Sequence, residues 1–255
     1  MTALEVSDQK INIMINDLGS FTPFGFGDLD AADLSLIESA TLVGVLDWCL
    51  NRAGTDLAAG LLDHLAARDE CAKVQVYFDS SDPAPRKAEV PEMVARVLMH
   101  PRLNYLGVNE NELRHYAANL DAPDTPESMA ALARTLNRSV TAVTSAHTAA
   151  LAIQVDKGAA EEVWLMPSYD LLPKRTTGAG DTWNGGNILG ILLGLEPEER
   201  LLLANAVAGF YVAAPEPERP TLEQLIGFLE CNIDRLRPIA QPAIAATPDG
   251  SEQRE

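Results

Sequence analysis

The chain has 255 residues, with 19 basic and 37 acidic side chains, a formal net charge of −18, 47% hydrophobic residues and 22% charged ones. This is the composition of a folded chain that can bury one substantial core without disulfides. The acid excess excludes a nucleic-acid groove or an anionic membrane surface as the main partner, because both repel such a chain on average.

Cys49, Cys71 and Cys231 stand far apart with no CxxC pair, and His64, His100, His115 and His147 show no HxxxH or HExxH spacing. Neither a disulfide framework nor a histidine metal site is indicated. The longest strongly apolar run, residues 188–195, is far short of the ~20 residues that span a bilayer. The opening segment carries Glu5, Asp8 and Lys10 and does not read as a signal peptide. A cytoplasmic protein is expected.

In chain order, Ile11–Ile15 alternates and precedes Asp17 and Gly19, which predicts a strand ending in a loop. Residues 33–40 suit a short helix and 41–45 a buried strand. Residues 54–68 place Leu57, Leu61, Leu62 and Leu65 on one helical face. Residues 73–78 predict the next strand, stopped by the polar turn 79–83; 89–99 is helical by spacing, and 103–108 is again a strand. The order β, α, β, α, β, α, β implies an α/β protein with a mostly parallel sheet and helices on both faces. Helices are then expected over 110–119 and 126–136, followed by strands at 139–144, 149–155 and 162–166. Their short separations predict an antiparallel sheet edge. The last predicted helices are 182–195, 198–213 and 221–236. Residues 1–240 read as one core, and 241–255, rich in Pro, Ala, Ser and Glu, as a disordered tail.

The turn Gly178-Ala-Gly-Asp181 is the most informative feature. Two glycines ahead of a helix let backbone N–H groups converge, and the helix N-terminus adds partial positive charge, so the turn suits an anion such as a transferring phosphoryl group. Asp181 beside it makes sense as a general base that takes the proton of an attacking hydroxyl. A glycine turn with an acid in the first helical turn is equally a common feature without chemistry. Asn109-Glu-Asn-Glu112 follows a predicted strand, and strand ends are where parallel sheets present ligands. Asn109 and Glu112 could hold a hydrated Mg²⁺ and donor phosphates. Alone, the same spacing favours a capping box.

A strand-end Asn-x-x-Glu followed about seventy residues later by Arg175-Thr-Thr-Gly-Ala-Gly-Asp-Thr-Trp-Asn-Gly-Gly186 resembles the ribokinase-like, or PfkB, sugar and nucleoside kinases. The resemblance runs from about residue 11 to 229. It implies a three-layer α/β/α ribokinase-like fold, with Asp181 as catalytic base and Gly178, Ala179 and Gly180 as the anion hole. It also implies Asn109 with Glu112 as the Mg²⁺ and phosphate element, Thr176 on the phosphate side, and Asn205 near the nucleotide base.

Several positions depart from the family pattern. Arg175 stands where the family usually has an acid; with Lys174 it makes a basic pair, one member of which is expected to reach the donor phosphates. Residues 144–150 lack the family's glycines, and His147-Thr148 is faintly similar to ADP-dependent sugar kinases, so ATP and ADP both stay open as donor. Residues 79–86 sit where the family often has a strand-end Asp-Pro-Asn with a nearby Arg, and are expected to border the acceptor pocket. The family's opening strand, β lid and Gly-Gly segment have no counterpart in residues 1–15. A lid-less derivative or a fragment is therefore expected, with impaired transfer and a sheet edge that a homodimer could cover.

The leading expectation is a phosphotransferase acting on a hydroxyl of a small sugar or nucleoside, with no nucleic-acid or membrane partner. The alternative is a non-catalytic nucleotide-binding or scaffold protein on the same fold. The chain contains no GxxxxGK[ST], which excludes a P-loop kinase, and no GxGxxG after the first strand, which disfavours a dinucleotide-binding dehydrogenase.

Overall fold

The computed structural model describes residues 2–6, 11–15, 19, 22–119, 135–136, 139–145, 149–154 and 162–236. Thr2–Val6 (β1) and Ile11–Ile15 (β2) pair antiparallel in a two-stranded sheet of their own, with Thr2 opposite Ile15. This corrects the expectation that Ile11–Ile15 opens the parallel sheet. Alternation marks a strand, but it does not name the strand's partner.

The main sheet has six strands in sequence order: Leu42–Val45 (β3), Gln75–Asp79 (β4), Tyr105–Asn109 (β5), Ser139–Ser145 (β6), Ala149–Gln154 (β7) and Glu162–Pro167 (β8). β3 to β6 run parallel, while β6, β7 and β8 are antiparallel neighbours. The antiparallel edge falls where connections are too short for a crossover helix.

Ala31–Ser39 (α1) begins at Asp30, whose carboxylate accepts from the Ala32 and Asp33 amides. Gly54–Ala66 (α2) and Val90–Met93 (α3) follow, the latter continuing as a wider helical turn over Val94–Leu98. The remaining described helices are Glu110–Asn119 (α4), Ala179–Leu192 (α5), Pro197–Ala213 (α6) and Leu222–Asn232 (α7). The predicted helix at 126–136 has only residues 135–136 among the described ones, and His147 and the 241–255 tail lie outside them.

β4 shows why the molecule has three layers. Val76 and Phe78 enter the main core with Leu61, Leu62 and Leu65 of α2, Met93 of α3 and Leu113 of α4. Tyr77, between them, points to the other face, where its hydroxyl donates to Asn184 of α5 at 2.8 Å. A two-residue period thus puts helices on both faces of a buried strand. On that second face α5 and α6 pack closely: a Cβ at Gly186 would lie 2.8 Å from Ala204 Cα. Among the described residues, no helix is long and apolar enough to cross a membrane.

Candidate active site

The C-terminal ends of β3, β4 and β5 present Asp47, Asp79 and Asn109, and Asp181 stands in the first turn of α5. Asn109 caps α4: its Oδ1 accepts from the Asn111 and Glu112 amides at 2.9 and 3.0 Å. Glu112 answers by accepting from the Asn109 amide and side chain at 2.9 and 2.6 Å. The capping box is therefore real, and it also holds a carboxylate that is only 4% exposed. Burial and the nearby Asp79 carboxylate push the Glu112 pKa up to about 9. The same residues line a cleft of ≈ 370 Å³ with Asp82, Asn111, Arg114 and His115.

This arrangement fits a hydrated divalent cation. Glu112 has hydrogen-bond donors from Asn109 alone and no ion-pair partner among the described residues. Among those residues there is no cluster of three or more metal-ligating His, Cys, Asp or Glu side chains. A cation here would lean on water for most of its ligands, as Mg²⁺ does.

The glycine turn is open to an anion. Gly178 has φ +82°, a left-handed conformation that favours glycine, and a Cβ there would meet the Tyr211 hydroxyl at 2.9 Å. The Ala179 amide donates to Thr176 O at 3.1 Å, and the Thr182 amide to Gly178 O at 3.0 Å. Of the three residues expected to form the anion hole, Ala179 is thus engaged within the turn. Among the described residues, the amides of Gly178, Gly180 and Asp181 have no acceptor, and Gly178 receives no side-chain cap. Partial burial, then the Asp47 charge, raises the Asp181 pKa.

The loops after β3 and β4 are locked together. Asp47 and Ser81 both have positive φ, 58° and 53°, which is uncommon for residues other than glycine. The Ser81 hydroxyl donates to Asp47 Oδ1 at 2.5 Å, and the Ser81 amide to Asp79 Oδ1 at 2.7 Å. Arg86, expected to border the acceptor pocket, is only 9% exposed and binds the carbonyls of Trp48, Asn51 and Arg52. It also pairs with Glu89 and stacks 4.1 Å above the Trp48 ring.

Two further expected contacts have other partners. Arg175 donates to the carbonyls of Tyr211, Ala214, Glu216 and Pro215 at 2.8–3.0 Å, so it caps the C-terminal end of α6. Its charge complements a helix end. Asn205 is 6% exposed; its Oδ1 accepts from Trp183 Nε1 at 2.9 Å and its Nδ2 donates to Met166 O and Pro167 O at 3.3 and 3.0 Å. It clamps α5, α6 and the end of β8. Thr176 stays at the turn through its carbonyl bond to Ala179.

Sequence reasoning missed Asp47, Tyr77 and Asn184. Asp47 follows a predicted strand almost directly, so the strand-end rule could have singled it out. Asn184 lies inside the quoted motif, but the partner that explains it, Asp79, is 105 residues away.

The pfkB family carbohydrate kinase model matches residues 28–224. Among solved structures, a putative 2-keto-3-deoxygluconate kinase from Enterococcus faecalis is similar at TM-score 0.67 and 16% identity, covering 93% of this chain and 74% of that one. Adenosine kinase from Schistosoma mansoni in complex with 2-fluoroadenosine is similar at TM-score 0.64 and 18% identity, covering 86% and 64%. Ribokinase from Thermotoga maritima follows at TM-score 0.63 and 18% identity, covering 89% and 68%. At these identities the likeness is one of fold, and the chain spans roughly two thirds of the length of these relatives. No curated protein sequence matches. The family model covers most of the chain, and the parallel sheet and its site-bearing strand ends lie within the match; the chain belongs to the pfkB family of carbohydrate kinases.

Proposed function

We propose that this protein is a phosphotransferase that moves the terminal phosphate of ATP or ADP to a hydroxyl of a sugar or nucleoside. One observation carries the reading: Asp181 stands in the first turn of α5, beside a glycine turn whose Gly180 and Asp181 amides have no acceptor among the described residues. A carboxylate and free amides on one helix start are what an attacking hydroxyl and a transferring phosphoryl group need.

In this mechanism Asp181 accepts the hydroxyl proton as the acceptor oxygen bonds to phosphorus and the bond to the donor's bridging oxygen breaks. The amides of Gly178, Gly180 and Asp181 stabilise negative charge on the transferring group. Its raised pKa makes Asp181 a stronger base than an exposed aspartate, at the cost of protonation when the solution turns acidic. Through water, Glu112 and Asn109 would hold Mg²⁺, which would supply neutralising charge to the donor phosphates. Thr176 stays on the phosphate side of the turn; Arg175 and Asn205 act on structure, in keeping with their carbonyl partners.

The test is a transfer screen with MgATP and MgADP against ribose, 2-keto-3-deoxygluconate and adenosine, run beside Asp181→Asn. Turnover should fall by ~10³-fold in the variant, within the usual worth of a general base, while nucleotide affinity stays within threefold. The second reading is a nucleotide-binding scaffold without transfer. It requires that neither protein turn over.

A further inference from the structure

The side chain of Asn184 is 6% exposed and lies one helical turn beyond Asp181. Its Oδ1 accepts from the Tyr77 hydroxyl at 2.8 Å, and its Nδ2 donates to Asp79 Oδ2 at 2.5 Å. Burial raises the Asp79 pKa, while the bonds from Ser81 and Asn184 favour its charged form; ionised, it only accepts, so the amide nitrogen faces it and the oxygen is left for the phenol. Burial keeps Tyr77 protonated and hence a donor. Asn187, with no exposure, donates in turn to the Tyr77 oxygen at 3.4 Å. Gly107 leaves room for this phenol: a Cβ there would lie 2.4 Å from it.

The other end of this chain of bonds is the pair of left-handed residues. Asp79 Oδ1 accepts from the Ser81 amide, and the Ser81 hydroxyl holds Asp47. One side chain on α5 is therefore bonded to the end of β4, from which one loop beside Asp181 starts and to which Ser81 ties the other, the loop after β3. We propose that Asn184 is a positioning residue: by bridging Tyr77 and Asp79 it sets Asp181 and the free amides of the glycine turn against the loops after β3 and β4. The proposal rests on reading Asp181 as the base. A bond of this kind matters for rate because a small misplacement of reacting groups costs heavily.

The design of the network supplies its own test. Asn184→Asp alone places a second carboxylate at 2.5 Å from Asp79. Combined with Asp79→Asn it exchanges donor and acceptor: the Ser81 amide still finds an oxygen, the new amide donates to the new carboxylate, and Tyr77 donates to its other oxygen. Turnover is measured on the acceptor that serves best in the screen, or as phosphate release to water from MgATP where none serves. It is normalised to MgATP binding stoichiometry from calorimetry, so that unfolded protein does not count.

Asn184→Asp should lower kcat ~100-fold with the MgATP dissociation constant within threefold, and the exchange variant should regain at least ~10-fold of that loss. A residue with only a structural role would lower the binding stoichiometry and leave kcat per site alone. The proposal is overturned if Asn184→Asp keeps kcat within threefold of the wild type, if the exchange variant is no better than Asn184→Asp, or if MgATP affinity falls in parallel with kcat. Full turnover in Asp181→Asn, or none in the wild type, would overturn the base assignment and the proposal with it. An inactive Asp181→Asn beside an undisturbed Asn184→Asp would overturn the positioning role alone.

Discussion

The loops after β3 and β4 are held by side chains, with Arg86 on three carbonyls and Ser81 on Asp47. In the turn ahead of α5 side chains bind only carbonyls, Tyr211 that of Thr177 and Thr182 that of Gly178, and the amides take no side-chain cap. A side-chain cap on that turn would occupy the very amides that an anion needs. The loops opposite have no such constraint. Their carbonyls and hydroxyls are paired with side chains, which fixes shape in a region that needs rigidity more than free donors.

The sharpest way to break this contrast is at Gly178. Gly178→Ala demands a left-handed alanine and brings its Cβ to 2.9 Å from the Tyr211 hydroxyl. We expect turnover to fall by ~10²-fold or more, the scale of losing one oxyanion donor. Adding Tyr211→Phe should recover only part of it, since the backbone strain remains; full recovery would show that contact with the hydroxyl was the whole effect.

The two arginines give the next comparison. Arg86→Ala should cost about 3 kcal/mol, because it strands several buried carbonyls and a carboxylate, and Arg86→Lys should not restore it, for lack of a planar fork. Arg175→Ala frees carbonyls that solvent can reach, so ~1 kcal/mol is expected, with the nucleotide Michaelis constant unchanged. Thermal unfolding and nucleotide titration read both. A marked rise in that constant for Arg175→Ala would restore the phosphate role expected from the sequence.

The smallest effect concerns pH. Asp181 must be ionised to act as a base, and its pKa is raised by burial and then by the Asp47 charge. Removing that charge in Asp47→Asn lets Asp181 ionise at lower pH, so the acidic limb of the kcat profile should move toward lower pH. A limb that stays in place or moves the other way would show that the two carboxylates do not sense each other.

Much of the fold was legible because its signals are local. Every predicted strand from 41–45 onward has its counterpart in β3 to β8, and the antiparallel edge follows from connection length. Pairing choices were not legible, as the separate β1–β2 sheet shows. In the candidate site, Asp181, Asn109 and Glu112 stood out because motif and strand end coincide. The partners of Arg175 were not legible for a physical reason: its acceptors are carbonyls 36–41 residues later in the chain. The same holds for Asn205, whose bonds to Trp183, Met166 and Pro167 no spacing announces.

The two arginine clamps have a consequence for evolvability. Arg86 and Arg175 grip main-chain oxygens, which every amino acid carries, so their hold on the exposed positions Arg52, Pro215 and Glu216 depends little on the side chains borne there. Those side chains are free to drift and to try new contacts with small molecules, while the two guanidinium groups are not. Libraries that randomise the exposed positions of these loops and spare the arginines should therefore yield a high fraction of folded variants.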